Sequence, residues 1–96
     1  MTYETKDETF NGWTNKPTWL VKLWLDNDQN TYNDIINLVK RNKALEDYQI
    51  GDKISGYVDT NMLTVPSASL ETDLLGWAMA CVNWSEIGKS YKEDLQ

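Results

Sequence analysis

The segment 19–25, Trp-Leu-Val-Lys-Leu-Trp-Leu, constrains the fold most, because all but one of its side chains are apolar. Pro17 precedes it, and proline is favoured in the first turn of a helix. Asn15 offers a side chain that can cap the helix start. The pattern predicts a helix over about 17–26 with only a narrow polar stripe. A helix that is apolar on most of its circumference is usually buried, so we expect the other elements to pack around it.

A second helix is predicted after a polar break at 26–30, where Asp28 or Asn30 can act as the N-cap. The apolar residues that follow recur at the i, i+3, i+4, i+7 spacing of an amphipathic helix. These residues are Tyr32, Ile35, Ile36 and Val39.

Three more helices are predicted downstream, over about 52–62, from about Ser69 and from Asn83. Gly76, next to Trp77, indicates a close contact between helices. We expect the apolar faces of these three helices to lie in the core. The residues concerned are Ile54, Tyr57, Val58, Met62, Leu70, Leu74, Trp77, Ala78, Cys81, Ile87, Tyr91 and Leu95.

These elements predict a mostly α fold, a single small domain of four to five short helices packed around a central Trp-rich helix. The 96 residues are enough for one domain. An α+β fold with a short hairpin is the alternative, with a strand at 62–65. Residues 1–12 are polar and are interpreted as an N-terminal arm, with Phe10 and Tyr3 against the body. Residues 13–96 form the helical domain.

The composition argues against several kinds of catalytic and metal site. The chain has no His and one Cys, Cys81. It therefore lacks the residues for a His-dependent nucleophile, a His-ligated metal, a cysteine zinc site or an internal disulfide. Cys81 lies between apolar neighbours, where a buried and unreactive thiol is expected. We expect no enzyme activity, no catalytic residue, no cofactor and no metal.

One segment partly resembles a calcium-binding loop. Asp26, Asp28 and Asn30 match the first ligand positions. The sixth position should be Gly and is Thr31, and the twelfth should be Glu and is Asn37. A helix end followed by a helix cap is the better interpretation.

The net charge is -6, from 15 Asp+Glu against 9 Lys+Arg. This balance opposes direct binding to DNA or to an anionic membrane. The acids can instead meet Lys and Arg on a protein partner, either as ordinary complementary charge or as an imitation of DNA phosphates. We predict partner binding by acids that surround the second helix, namely Asp26, Asp28, Asp34, Glu46 and Asp47. No signal peptide or membrane-spanning run is recognised, so a cytoplasmic location is expected.

The tryptophans divide into two groups. Trp19, Trp24 and Trp77 occupy helix positions typical of core packing, while Trp13 and Trp84 lie at element edges, where they would hold helix ends. Any tryptophan that proves exposed would instead indicate an interface anchor.

Residues 13–24 fit the pattern Trp-x-Asn-x-x-Thr-Trp-x-Val-x-Leu-Trp, and residues 83–87 read Asn-Trp-Ser-Glu-Ile. Both blocks resemble a family of small phage- and plasmid-encoded proteins whose function is unassigned. Gly88 stands where that family's pattern has Ala. The resemblance implies a mobile-element accessory protein acting inside a host cell. Small acidic proteins in this setting often block host defence, as anti-CRISPR and anti-restriction proteins do.

The leading hypothesis is therefore stoichiometric binding to a host protein, with a CRISPR or restriction nuclease as the candidate partner. One alternative is a homo-oligomeric structural or assembly protein of a phage, held together by exposed aromatic residues; a homodimer is also compatible with the leading hypothesis. Another alternative is a nucleic-acid-associated regulator that uses the basic cluster Lys40, Arg41 and Lys43. The simpler interpretation is that this cluster places favourable positive charge at the C-terminus of the second helix.

Overall fold

The computed structural model of the protein describes residues 9–63 and 68–95, which form five α-helices. The helices are α1 (Lys16–Asn27), α2 (Gln29–Arg41), α3 (Asp47–Asn61), α4 (Leu70–Ala80) and α5 (Trp84–Asp94). The mostly α prediction is confirmed. In the described residues, β pairing is limited to one isolated bridge between Phe10 and Trp13, so the α+β alternative is not the fold. Of the strand expected at 62–65, residues 64 and 65 lie outside the described part.

Short polar side chains set the start of four helices. Asn15, Asp28, Ser69 and Asn83 each accept a hydrogen bond from the backbone N–H three residues further on. Such a bond satisfies one of the N–H groups that have no partner within the helix. The choice that the sequence leaves between Asp28 and Asn30 is settled in favour of Asp28.

The centre of the fold is the pair α3 and α5, which approach closely through two glycines. A Cβ atom at Gly88 would lie 2.7 Å from the backbone oxygen of Asp47, and Gly51 meets the backbone of Trp84 in the same way. The close contact predicted at Gly76 is wrong, since a Cβ there would meet open space. Gly51 also lies inside α3, which begins at Asp47 instead of about residue 52.

The core draws on α1, α2, α3, α5 and the turn before α5. Its buried apolar residues are Leu25, Ile35, Val39, Ile50, Ile54, Val58, Val82, Ile87 and Tyr91. From α1 only Leu25 and Thr18 are buried, so the central position expected for this helix is wrong. α1 packs against α2 and α5, which leaves much of its apolar circumference uncovered.

Further expectations concern the N-terminal arm, Cys81 and membrane-spanning segments. Phe10 contacts Trp19 edge to face, with ring centroids 4.8 Å apart, as expected for the end of the arm. Tyr3 belongs to residues 1–8, which lie outside the described part. Cys81 follows α4 and is half-buried, where a fully buried thiol was expected. In the described part of the chain, no helix has the length and apolar character needed to cross a membrane.

Candidate functional site

Among the described residues, the most exposed apolar surface is one side of α4. Leu70 is 74% exposed, Leu74 58% and Trp77 65%, and α4 contains no buried residue. The core positions predicted for these three side chains are therefore wrong. Their i, i+4, i+7 spacing places them in one line along the helix. We call these three residues the α4 ridge.

The local sequence explains why α4 forms despite this exposure. Ser69 caps the helix, and its hydroxyl accepts a hydrogen bond from the N–H of Thr72 at 3.1 Å. Glu71 and Asp73 lie in the first turn, where carboxylates interact favourably with the helix dipole. At 100° per residue, they also lie on opposite sides of the α4 ridge. The ridge is thus an apolar line with a negative charge on each side.

A second apolar surface is a groove between α1, the end of α3 and the last turn of α4. It has a volume of about 260 Å³, and its lining is Leu20, Val21, Trp24, Val58, Met62, Leu63 and Met79. Trp24 is 59% exposed there, so its predicted place in the core is also wrong. We call this surface the α1–α3 groove. Two of the three tryptophans expected to pack internally therefore face outward.

The five acids predicted to bind a partner all have roles within the fold. Asp28 caps α2, and Asp34 accepts a hydrogen bond from the Tyr57 hydroxyl at 2.8 Å. Burial, followed by this hydrogen bond and the Asp34 charge, raises the pKa of the Tyr57 hydroxyl, and the charge of Asp28 adds to the effect. Asp28 and Asp34 thus lie around one phenol.

The other three predicted acids lie at further helix ends. Glu46 immediately precedes α3, and its backbone N–H donates to the side chain of Gln49 at 3.0 Å. Asp47 lies 3.8 Å from the Lys92 ammonium. Asp26, near the end of α1, is the acid with the closest contacts.

Asp26, Lys22 and Tyr91 form a compact cluster between α1 and α5. The Tyr91 hydroxyl donates to Asp26 Oδ1, and Lys22 Nζ lies 2.6 Å from Asp26 Oδ2. The same ammonium lies 4.4 Å from the centroid of the Tyr91 ring. Burial of the ring, and then the bond to Asp26, raise the pKa of the Tyr91 hydroxyl well above its usual range. The hydroxyl is therefore neutral and serves as a hydrogen-bond donor.

The two sequence blocks that carry the family resemblance meet in one polar network. Thr18 Oγ1 donates to Asn15 Oδ1 at 2.7 Å and accepts from the backbone N–H of Asn83 at 2.8 Å. The Asn15 amide donates to the carbonyl oxygen of Cys81. The network therefore fixes the start of α1 against the turn between α4 and α5.

Thr14 and Glu86 complete this network. The backbone N–H of Thr14 donates to Glu86 Oε1 at 3.0 Å, and Thr14 Oγ1 accepts from the Asn83 amide. Asn83 thus caps α5, while the Glu86 side chain binds the segment that leads into α1. The polar residues of both blocks therefore have a structural role.

Trp13, Trp84 and the acids of the described residues offer little for catalysis or metal binding. Trp13 and Trp84 are half-buried and pack against the core, as expected for residues that hold helix ends. Across 9–63 and 68–95, no three Cys, Asp or Glu side chains are grouped so that they could share a metal ion. The surfaces with most to offer a ligand are the α4 ridge and the α1–α3 groove.

Sequence reasoning missed both surfaces for the same reason. Leu70, Leu74 and Trp77 have helical spacing, and this spacing predicts a face without saying what covers it. The available signal was an excess of apolar residues on α4: Leu75, Ala78 and Met79 point to other sides of the same helix. A helix with more apolar surface than one core can cover indicates an interface.

Comparison with known proteins gives a family and no relative of known function. No curated protein matches the chain, and no solved structure matches it. A family model does match residues 6–96, which is nearly the whole chain. The protein is therefore a member of DUF7249, a family of unknown function.

Proposed function

We propose that this protein acts by stoichiometric binding to another protein, and that the α4 ridge is its anchor. The observation that carries the proposal is the exposure of Leu70, Leu74 and Trp77 in one line on a folded helix. Exposed apolar patches mark interaction sites, and tryptophan is enriched among the residues that dominate binding energy. Three anchors at i, i+4 and i+7 are the usual way in which a helix binds a groove on its partner.

The charges around the ridge indicate the chemistry of the partner. Glu71 and Asp73 are exposed, and α4 carries no Lys or Arg. An apolar groove can match the ridge alone, and a partner surface that matches the two acids as well has Lys or Arg along the edges of such a groove. The acids Asp26, Asp28 and Asp34 add long-range attraction to such a basic surface. Glu46 and Asp47 add to the same long-range attraction. The acids therefore assist binding, while the ridge anchors it.

A nucleic-acid-binding defence enzyme of the host, such as a CRISPR or restriction nuclease, is the partner class that we propose. Such enzymes carry basic surfaces for their nucleic acid, and a protein of net charge -6 is attracted to them. The resemblance of residues 13–24 and 83–87 to phage- and plasmid-encoded proteins supports this choice. The proposal implies an inhibitor that occupies its target, and a cytoplasmic location with the target.

Affinity capture with matched variants tests the proposal. The immobilised wild type, Trp77→Ala and Tyr48→Ala are exposed to a bacterial lysate, and the retained proteins are identified and titrated. Tyr48 is the control because it is 58% exposed, is also aromatic and lies on α3 outside both apolar surfaces. We expect a nucleic-acid-binding protein to be retained 1:1 by the wild type and by Tyr48→Ala.

For Trp77→Ala we expect binding at least about tenfold weaker, as for removal of a central anchor. Nuclease activity of the retained protein, measured with and without the added wild type, tests inhibition. Equal retention by Trp77→Ala would exclude the ridge as the anchor. Retention of no protein by any variant at low salt would contradict the proposed function itself.

A further inference from the structure

We propose that two copies of the chain form a two-fold symmetric dimer, which is the state of the free protein. The α4 ridge of each copy docks into the α1–α3 groove of the other. The inference rests on the proposed function, because it concerns the same ridge and names what covers it before a partner binds. Each chain carries one ridge and one groove, which is the condition for a reciprocal contact between identical chains.

The two surfaces match in chemistry. The ridge offers Leu70, Leu74 and Trp77, and the residues that line the groove are all apolar. The groove therefore contains no carboxylate that would be left without a partner after docking, and no ammonium that would lose water. Trp24 at the groove and Trp77 on the ridge are both more than half exposed, so each has area to bury.

The area of the two surfaces suits a pair of chains. With about 200 Å² for a fully exposed Leu, Met or Trp residue, the exposed fractions of the ridge residues and of Leu20, Trp24 and Met62 add up to at most about 700 Å² on each copy. A stable protein interface buries about 800 Å² on each partner. A single ridge in a single groove would bury about half of this, which is typical of weak contacts. The area thus favours the reciprocal arrangement, in which both contacts form at once.

This pairing would regulate the function proposed above. A chain in the pair has its ridge covered, so an outside partner must compete with the second copy for Leu70, Leu74 and Trp77. Weakening the groove without changing the ridge should release the ridge. Trp24→Ala does this, because Trp24 belongs to the groove alone. We expect this variant to bind a partner more tightly than the wild type does, whereas Trp77→Ala binds it less.

Light scattering and sedimentation of the purified protein test the pairing directly, at concentrations up to about 1 mM. We expect the wild type and the control Tyr48→Ala to reach twice the chain mass of 11.1 kDa. Trp24→Ala and Trp77→Ala should each weaken association at least about tenfold. Circular dichroism checks that both variants keep their helices, which is expected because both side chains lie at the surface.

Mixing the two weakened variants gives the decisive measurement. In a mixed pair, the intact ridge of Trp24→Ala meets the intact groove of Trp77→Ala, so one of the two contacts is restored. We expect the mixture to associate more tightly than either variant does alone, and more weakly than the wild type, because one of its two contacts is intact. A mixture that associates no more tightly than either variant, a monomeric wild type, or variants that pair as the wild type does would each overturn the inference.

These measurements use the purified protein alone. A negative result for pairing can therefore be distinguished from a negative result for the proposed function. A monomeric wild type whose Trp77→Ala variant loses a captured partner contradicts the pair and supports the anchor. A paired wild type that captures no partner supports the pair and contradicts the proposed function.

Discussion

At the scale of single residues, the contact between Tyr91 and Asp26 has a consequence for stability at high pH. An unfolded chain ionises its tyrosines near the usual pKa of 10.0, while the folded protein holds the Tyr91 pKa higher. The contribution of Tyr91 to stability is therefore complete below about pH 10. It is lost progressively as the pH rises from there towards the raised pKa, because the unfolded state releases its proton first.

Tyr91→Phe should remove this pH dependence. We expect the free energy of unfolding of the wild type to fall above pH 10 by up to about 1.4 kcal/mol per pH unit more steeply than that of the variant. At pH 7 the variant should be less stable by about 1–3 kcal/mol, because it lacks a hydrogen bond to a charged group. Urea denaturation between pH 7 and about pH 11 measures both effects. Parallel curves for the two proteins would refute the role assigned to the Tyr91 hydroxyl.

Thr18 is the buried centre of the network that joins the two sequence blocks. Its hydroxyl both donates and accepts, and the residue is 0% exposed. Thr18→Val keeps the shape but leaves the backbone N–H of Asn83 without its acceptor. We expect a loss of about 1–3 kcal/mol in the free energy of unfolding. Thr18→Ser keeps both hydrogen bonds and is the control. A loss in Thr18→Ser with none in Thr18→Val would show that the methyl group, not the hydroxyl, is what matters.

At the scale of elements, the crossing of α3 and α5 depends on Gly51 and Gly88. The added Cβ of Gly88→Ala would lie 2.7 Å from the oxygen of Asp47 and 2.9 Å from the nitrogen of Gly51, both backbone atoms that cannot swing aside. We expect a loss of about 1–3 kcal/mol from overpacking. Gly56→Ala is the control: it lies in α3 with nothing within 4 Å of the new Cβ, so it should gain up to about 1 kcal/mol.

Thermal and urea unfolding of these two alanine variants measure the contrast. A Gly88→Ala variant as stable as the wild type would mean that α3 and α5 lie further apart than described here.

Elements whose ends are fixed locally could be predicted from the sequence. Asn15, Asp28, Ser69 and Asn83 cap their helices through a bond to the third residue on, and such a bond needs no information from the rest of the fold. The start of α3 could not be predicted in this way. Gly51 has the local properties of a helix breaker, and only the approach of α5 shows why a glycine lies inside the helix.

At the scale of the whole molecule, helical spacing could not show which apolar faces would be covered. α1 and α4 both have the pattern of core helices, yet Trp24 and Trp77 face outward. Burial is a property of the assembled helices, and α3 and α5 take the centre because two glycines let them approach. The candidate acids were predictable as exposed charges, but their internal roles, such as that of Asp34 with Tyr57, required the fold.

The net charge of -6 predicts opposite effects of salt on the two proposed contacts. Two copies of the chain repel each other, so salt should screen that repulsion and strengthen a contact made by apolar side chains. A basic partner is attracted by the same charge, and salt should weaken its binding. We expect sedimentation from about 0.05 to about 0.5 M salt to show tighter pairing, and capture over the same range to show weaker retention. Pairing that weakens with salt would mean that opposite charges, for example Lys40 and Arg41 against the acids, hold the two copies together instead of the ridge and the groove.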